Sequence, residues 1–383
     1  MKLVKLSLTE DYVSHWSWWQ GARELLQNAI DTGKFDVNFK HDSLHITSHG
    51  GKIPVNALLM GKSSKKEDPT TIGKFGEGMK LGFLVLLREG AEIEVLNGVD
   101  RWKPKFVYDE MFDSKVLAIE IDEECLEGGE DYVEVNIYNI PSWAIDEIKD
   151  NYAPTTSRDI IIENSRGKAY AKDSNNQECT LFVNGLYVTT LRNGKYKFDY
   201  DFKPETFVLD RDRDSVNEYE LKYNANNLLS ESDDIELLAQ LALENYDDLA
   251  LFSGRRKKNS SFYSYSRTED EEDQLADKAV ELFEKKYGEN AYPINEGWSE
   301  GKRRVVTETA IAKGWTPVTV KQAVYRMVQN SYDVDHQVDQ ILSFKPLDFL
   351  ESFLTKHKRR LYSKPRREIE GVVKLLRIAE GKE

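Results

Sequence analysis

The sequence predicts an α+β fold: a mixed N-terminal domain, then a second β-rich segment, then a mostly helical C-terminal region. Three observations carry this. Alternating apolar and polar runs, the periodicity of strands, gather between residues 35 and 202. Apolar residues recur at helix spacing in a stretch around residues 18–31, and again from residue 273 to the end. The composition, 40% apolar and 31% charged over 383 residues, is that of a globular chain long enough for two or three cores.

Residues 1 to 13 read as a short strand or arm before the aromatic cluster Trp16, Trp18 and Trp19. In the helix that follows, "ARELLQNAID", a rotation of roughly 100° per residue keeps Glu24, Asn28 and Asp31 within about 60° of one another. Trp18, Ala22, Leu25, Leu26 and Ala29 gather on the opposite side. A face carrying a carboxylate, an amide and a second carboxylate has two readings, a solvated stripe or the polar wall of a site. "FDVNFKHDSLHITSHGGKIP" then reads as a hairpin ending in a tight turn. "MGKSSKKEDPTT", polar and interrupted by Pro69, reads as a loop. Gly73, Gly76 and Gly78 follow, and after them the apolar run from Leu81 to Leu87. That order describes a glycine turn feeding a buried helix, and backbone amides at a helix N-terminus attract anions, with glycine removing the Cβ that would bar a close approach.

The remaining elements follow by pattern. "AEIEVLNG", "KFVYDE", "KVLAIEID" and "DYVEVNIYNI" are four alternating runs of an antiparallel sheet, and the helix "SWAIDEIKDNY" closes a domain at 1–150. A β-rich segment with a trailing acidic helical stretch occupies 151–252, with Asn184-Gly185 as its hairpin turn. Residues 253–272 join a basic cluster, a serine–tyrosine patch and an acidic run, which reads as a linker. The region 273–383 carries helix-period runs such as "LADKAVELFEKKYG", "TVKQAVYRMVQNSYD" and "PLDFLESFLTKHKRRLY".

The pairing of Glu-x-x-x-Asn-x-x-Asp at Glu24, Asn28 and Asp31 with Gly-x-x-Gly-x-Gly at Gly73, Gly76 and Gly78 resembles the GHKL ATPase superfamily of gyrase B, the heat-shock chaperone of that fold, histidine-kinase catalytic domains and MutL. The resemblance covers about the first 145 residues. It implies a Bergerat-type α/β sandwich binding ATP and Mg²⁺ under a lid that contains Ser63, Ser64 and Lys65, with lid closure coupled to a nucleotide-dependent homodimer. It implies Glu24 as the general base that polarises water, Asn28 as the magnesium ligand, and Asp31 behind them near the base pocket. Gly76, Glu77, Gly78, Met79 and Lys80 would form the phosphate cradle, the Lys80 ammonium turned either to the phosphates or to solvent. The middle motif departs from the family. "ITSHGGKIP" puts Ser48 where the family has the aspartate that reads adenine and Lys52 at the second glycine, keeping only Gly50 with Ile53 and Pro54. A neutral hydroxyl holds an amino group less strongly than a carboxylate does, so weaker adenine binding is expected. The family also delivers a basic residue to the γ-phosphate from the segment after the ATP domain. In "FVLDRDRDSV" that role falls to Arg211 or Arg213, which the sequence does not separate; the other reading of this string is a self-paired charged loop.

Two functions follow. One is a slow ATPase whose hydrolysis drives conformational cycling on a macromolecular client, nucleic acid or protein. The other is a nucleotide-gated binding or inhibitor module with little or no hydrolysis, acting on nucleic acid or in phage–host conflict. Composition excludes several alternatives. No apolar run approaches the roughly 20 residues of a membrane span and the N-terminus has no signal-peptide core, so the chain reads as cytoplasmic with no membrane partner. Cys125 and Cys179 make neither a disulfide framework nor a metal pair, and the six histidines lack zinc-site spacing. The net charge of −14 is uneven: from Lys302 onward 17 basic residues face 10 acidic ones, which leaves −21 on the preceding chain. The basic clusters at Lys302–Arg304, Lys356–Arg360 and Lys364–Arg367 read as phosphate-contacting patches or as solvated helix faces.

Overall fold

A computed structural model describes residues 1–59, 77–111, 113–126, 131–172, 178–192, 194–206, 216–249, 269–329, 332, 346–357 and 361–379. The fold is α+β, in two compact units: Met1–Ser232 with Tyr246–Leu251, and Asp233–Asn245 with Phe252–Glu383.

Unit 1 begins with strand β1 (Lys2–Thr9) and helix α1 (Trp18–Ile30), continues through β2 (Phe35–Phe39), β3 (Leu44–His49) and α2 (Gly78–Arg88), and adds β4 (Glu92–Asn97), β5 (Asp100–Asp109), β6 (Ser114–Asp122), β7 (Tyr132–Tyr138) and α3 (Ser142–Asp150). The strands form one seven-stranded sheet in the order β1-β6-β5-β4-β7-β3-β2, antiparallel at every pairing. Alternation decides its two faces. Ile46, Val135 and Val95 lie side by side in register and are buried, in one core with α1, α2 and α3. On the other face their neighbours His45, Asn136 and Glu94 stand in register, and His45 Nδ1 is hydrogen-bonded to Asn136 Oδ1. The alternating runs read from the sequence are these strands.

Helix α1 starts where Gln20 Oε1 accepts from both the backbone N–H and the hydroxyl of Ser17, each at 2.9 Å. Helix α2 is buried at every residue from Lys80 to Leu86, as expected of a helix apolar on all sides. Its C-terminal Arg88 donates to the carbonyls of Glu10, Tyr12, Val13 and Trp16 at 2.7–3.2 Å, tying the β1–α1 connection to the helix end. The two helices cross glycine to glycine. A Cβ on Gly82 would lie 2.9 Å from the Gly21 carbonyl oxygen, and one on Gly21 would lie 2.8 Å from Leu86 Cγ. This close crossing sets the height of α2 against α1.

The second sheet of unit 1 contains β8 (Ile160–Asn164), β9 (Gly167–Ala171), β10 (Cys179–Val183), β11 (Leu186–Leu191) and β12 (Phe198–Phe202), in the order β11-β10-β12-β9-β8. Only the β10–β12 pair is parallel. The boundary read at residue 150 falls between the two sheets. Strand β12 carries carboxylates that hold neighbouring backbone. Asp199 accepts from Thr180 N–H at 2.7 Å, and Asp201 from Gly185 N–H at 2.8 Å and from the Tyr170 hydroxyl at 3.4 Å. Desolvation pushes the Asp201 carboxyl up to about 6. The native state therefore holds this proton more tightly than the unfolded chain, and the associated stability is complete below about pH 4 and lost as the pH rises through about 6. Asp201→Asn keeps an acceptor for Gly185 and presents an amide to the Tyr170 oxygen. It is expected to be more stable than the wild type in urea unfolding at pH 8, by on the order of 2 kcal/mol of unfolding free energy, and to match it near pH 4.

After α4 (Glu218–Ser230), unit 2 takes α5 (Ile235–Leu243), α6 (Glu269–Tyr287), β13 (Ala291–Asn295), α7 (Glu300–Ala312), β14 (Thr316–Val320), α8 (Gln322–Val328), α9 (Pro346–His357) and α10 (Ser363–Ala379). The region is mostly helical, as read, and β13 and β14, which the sequence reading did not find, pair in parallel around α7. Each strand is five residues long and contains a proline, Pro293 or Pro317, which hides it from a periodicity reading. The span read as a linker lies outside the described residues up to 268, and α6 takes its last four positions. Among the described residues no helix is long and apolar enough to cross a membrane.

Candidate functional site

The central observation is a contact between α1 and the first residue of α2. A Cβ on Gly78 would collide with Glu24 Oε2. Only glycine lets this carboxylate lie directly against the N-terminus of α2. The ladder of α2 begins with Leu81 N–H donating to Glu77 O at 3.0 Å, so the amides of Gly78, Met79 and Lys80 precede it at the positively polarised end.

Glu24 is 4% exposed, which is not the solvated stripe that the polar face of α1 also allowed. Its Oε1 pairs with Arg23 Nη2 at 3.2 Å, and the Arg23 guanidinium lies 5.3 Å from the centroid of the Trp16 ring. One turn along, half-buried Asn28 donates Nδ2 to the Glu24 carbonyl at 2.7 Å. With one N–H of its amide used on the helix, Asn28 keeps Oδ1 as an acceptor. Asp31 is the C-terminal cap of α1, its N–H donating to Gln27 O at 2.9 Å. The helix gains nothing electrostatically from a carboxylate at this end.

Ser48 follows Leu44 and Ile46 on the helix-packed face of β3, half-buried at the strand end. Gly50 takes a positive φ of 117° in the turn that follows, and its N–H donates to Asp131 O at 3.1 Å. Asn97, 1% exposed, fixes the next stretch by accepting from Ile53 N–H at 2.7 Å and donating to Ile53 O at 2.9 Å. Lys80 turns neither to solvent nor outward from the helix end. It is 1% exposed and donates to Ala57 O at 2.8 Å and Leu59 O at 2.9 Å, tying the 3-10 turn Val55–Leu58 to α2. Burial holds its ammonium below the usual lysine range, and Glu77 partly opposes that shift.

The structure thus brings Glu24, with Asn28 one turn along α1, against Gly78 at the start of α2, where Glu77 is the cap and Met79 follows. Lys65, Gly73, Gly76, Arg211 and Arg213 lie outside the described residues. Arg23 and Asn97 were not singled out by the sequence. The only sequence signal for Arg23 was its place beside Glu24, within reach of the tryptophan cluster. Asn97 left no signal, because its partners are backbone groups.

Among the described residues no cluster of three or more His, Cys, Asp and Glu side chains could hold a metal ion. Magnesium needs no such cluster, since it commonly takes one or two protein ligands and completes its shell from phosphate oxygens and water. Asn28 Oδ1 and the Glu24 carboxylate, which Gly78 allows to lie against the start of α2, suit that arrangement.

No protein-family model matches the chain. A protein of Mycoplasma pneumoniae, described as uncharacterized, is 26% identical to it over 221 residues, which span 53% of this chain and 85% of that protein.

Proposed function

We propose that unit 1 is a GHKL-type domain of Bergerat architecture that binds ATP with Mg²⁺ and hydrolyses it slowly, cycling conformation on a macromolecular client in the cytoplasm. The observation that carries this reading is the packing of the Glu24 carboxylate against Gly78 at the start of α2. A carboxylate and the amide-rich end of a helix are the two groups that hydrolysis of a phosphoanhydride needs side by side, one to take a proton from water and one to hold the anion.

In this reading the amides of Gly78, Met79 and Lys80 hold phosphate oxygens, and Asn28 Oδ1 is the protein ligand of the metal. Bound Mg²⁺ would offset phosphate charge. Glu24 accepts the proton of the attacking water, and Arg23 fixes the carboxylate in place. Ser48 lies at the base end, where a hydroxyl both donates and accepts, so discrimination among bases is weak. Lys80 shapes the cradle through the Ala57 and Leu59 carbonyls. Arg211 or Arg213 remains the candidate for the γ-phosphate, and nucleotide-dependent dimerisation belongs to the same reading. One observation favours binding with little hydrolysis: the buried Arg23–Glu24 pair competes with water for the base.

Calorimetric titration of ATP into the wild type and Asn28→Ala, each with and without Mg²⁺, tests the pocket. The expected result is an affinity that rises with Mg²⁺ in the wild type and is about tenfold weaker, with the Mg²⁺ effect lost, in Asn28→Ala. Indistinguishable titrations would remove Asn28 from the metal site.

A further inference from the structure

Unit 2 contains a second place where backbone and side chains are arranged for an anion. Strands β13 and β14 run parallel with Asn295 beside Val320, and Glu296 N–H donates to Val320 O at 3.0 Å across their carboxyl ends. In sheets of parallel strands joined by helices, ligands bind outside that end, because each following helix points its N-terminus there. Here α7, which follows β13, does so. The 13-residue α7 begins at Glu300 with Ser299 as its cap, and α8 begins with Lys321 as its cap.

Three side chains meet at this edge, and Arg303 shares the first turn of α7 with one of them, Lys302. Trp298, in the β13–α7 connection, is half-buried, and Lys302 Nζ lies 4.5 Å from its ring centroid. Lys302 and Arg303 fall in the first turn of α7 and are half-buried, whereas Glu296 and Glu300 are exposed, so the basic groups are the ones held at the edge. Tyr325, on α8, is 95% buried, and its ring meets Trp298 at 4.8 Å and 71°. Side chains on a helix lean toward its N-terminus, which directs Tyr325 to the same edge. Its hydroxyl is buried with no hydrogen-bond partner among the described residues, and so is Arg303 Nε. A buried donor left unpaired is costly, so two idle donors near the N-terminus of α7 call for an acceptor. The sequence marked Lys302–Arg304 as a basic cluster, and nothing in the proposed ATP pocket uses it.

We propose that the carboxyl edge of the β13–β14 pair is a phosphate-binding site, framed by the N-terminus of α7, Lys302, Arg303 and the Tyr325 hydroxyl. The phosphate belongs either to a small phosphorylated molecule or to the backbone of a single-stranded nucleic acid. Both present the same tetrahedral anion to these donors. The site is separate from the pocket of unit 1 and stands whether or not that pocket hydrolyses ATP.

The test uses the full chain carrying Gly78→Ala, which is expected to weaken anion binding in unit 1 by displacing the Glu24 carboxylate. Inorganic phosphate, pyrophosphate and a short single-stranded oligonucleotide are titrated calorimetrically, with Tyr325→Phe and Lys302→Gln added in turn. Saturable binding is expected, weakened about tenfold by either added substitution, the usual effect of losing one bond to a charged acceptor. Without ligand, Tyr325→Phe is expected to melt at or above its parent, because it deletes an idle hydroxyl; this separates a lost ligand contact from a lost fold. Binding of phosphate or pyrophosphate alone assigns a small phosphorylated ligand, and binding of the oligonucleotide alone assigns a strand. Failure of all three probes to bind, or equal affinities before and after Tyr325→Phe, would overturn the proposal.

Discussion

Glu24→Gln is expected to lower steady-state phosphate release from ATP by about 10²–10⁴-fold, the usual contribution of a positioned general base, while leaving ATP affinity within a few-fold of the wild type. The substitution keeps the shape of the side chain and one acceptor oxygen, so the packing against Gly78 persists. It removes the charge that takes the proton. It also leaves the buried Arg23 guanidinium facing a neutral amide, which predicts a lowered melting temperature alongside the lost turnover. Measuring both quantities keeps them apart: a fold that still binds ATP but releases no phosphate supports the base assignment. Equal phosphate release from the wild type and the variant removes Glu24 from catalysis and leaves the binding-module reading, in which the Arg23 pair holds the carboxylate engaged. The nucleotide-bound form of Glu24→Gln is also the one in which a macromolecular client is best captured.

The parts of this architecture that sequence reading reached, and those it missed, divide along physical lines. The seven-stranded sheet of unit 1 was legible where one face is buried and the other is not, as in β4, where Ile93 and Val95 alternate with Glu92 and Glu94, whereas β6 is buried on both faces from Val116 to Ile119. Strands β13 and β14 were not legible, since each carries a proline and β13 is buried at all five positions, leaving no alternation to read there. Helix periodicity gave the polar face of α1 and the all-apolar body of α2 but said nothing of their partners. That Gly21 meets Gly82, and Glu24 meets Gly78, follows from how two helices cross, which no single helix records. Lys80 shows the same limit: its acceptors are the carbonyls of Ala57 and Leu59, and a backbone oxygen has no sequence signature. Arg23 was overlooked for a related reason, since on the helix it faces between the core and polar sides and acquires meaning only through Trp16 and Glu24.

Gly78→Ala is expected to reduce phosphate release by about 10²-fold or more, the effect of moving a reacting group by roughly an ångström, and to weaken ATP binding with it. A methyl group at this position occupies the space of Glu24 Oε2, so the carboxylate must turn away from the start of α2. Stability should move the other way or stay level. Alanine is favoured over glycine in a helix by about 1 kcal/mol, and the displaced group is the end of a side chain. Gly82→Ala provides the contrast, because its methyl group meets the Gly21 carbonyl and Leu25 within about 3 Å and can be accommodated only by parting the helices. That variant is expected to lower the urea midpoint, with a cost of about 1–3 kcal/mol for overpacking a fixed contact. The pair therefore separates two uses of glycine, one that lets a site form and one that lets two helices touch. A Gly78→Ala protein with wild-type turnover would mean that the Glu24 contact is packing alone, and the hydrolytic reading of unit 1 would go with it.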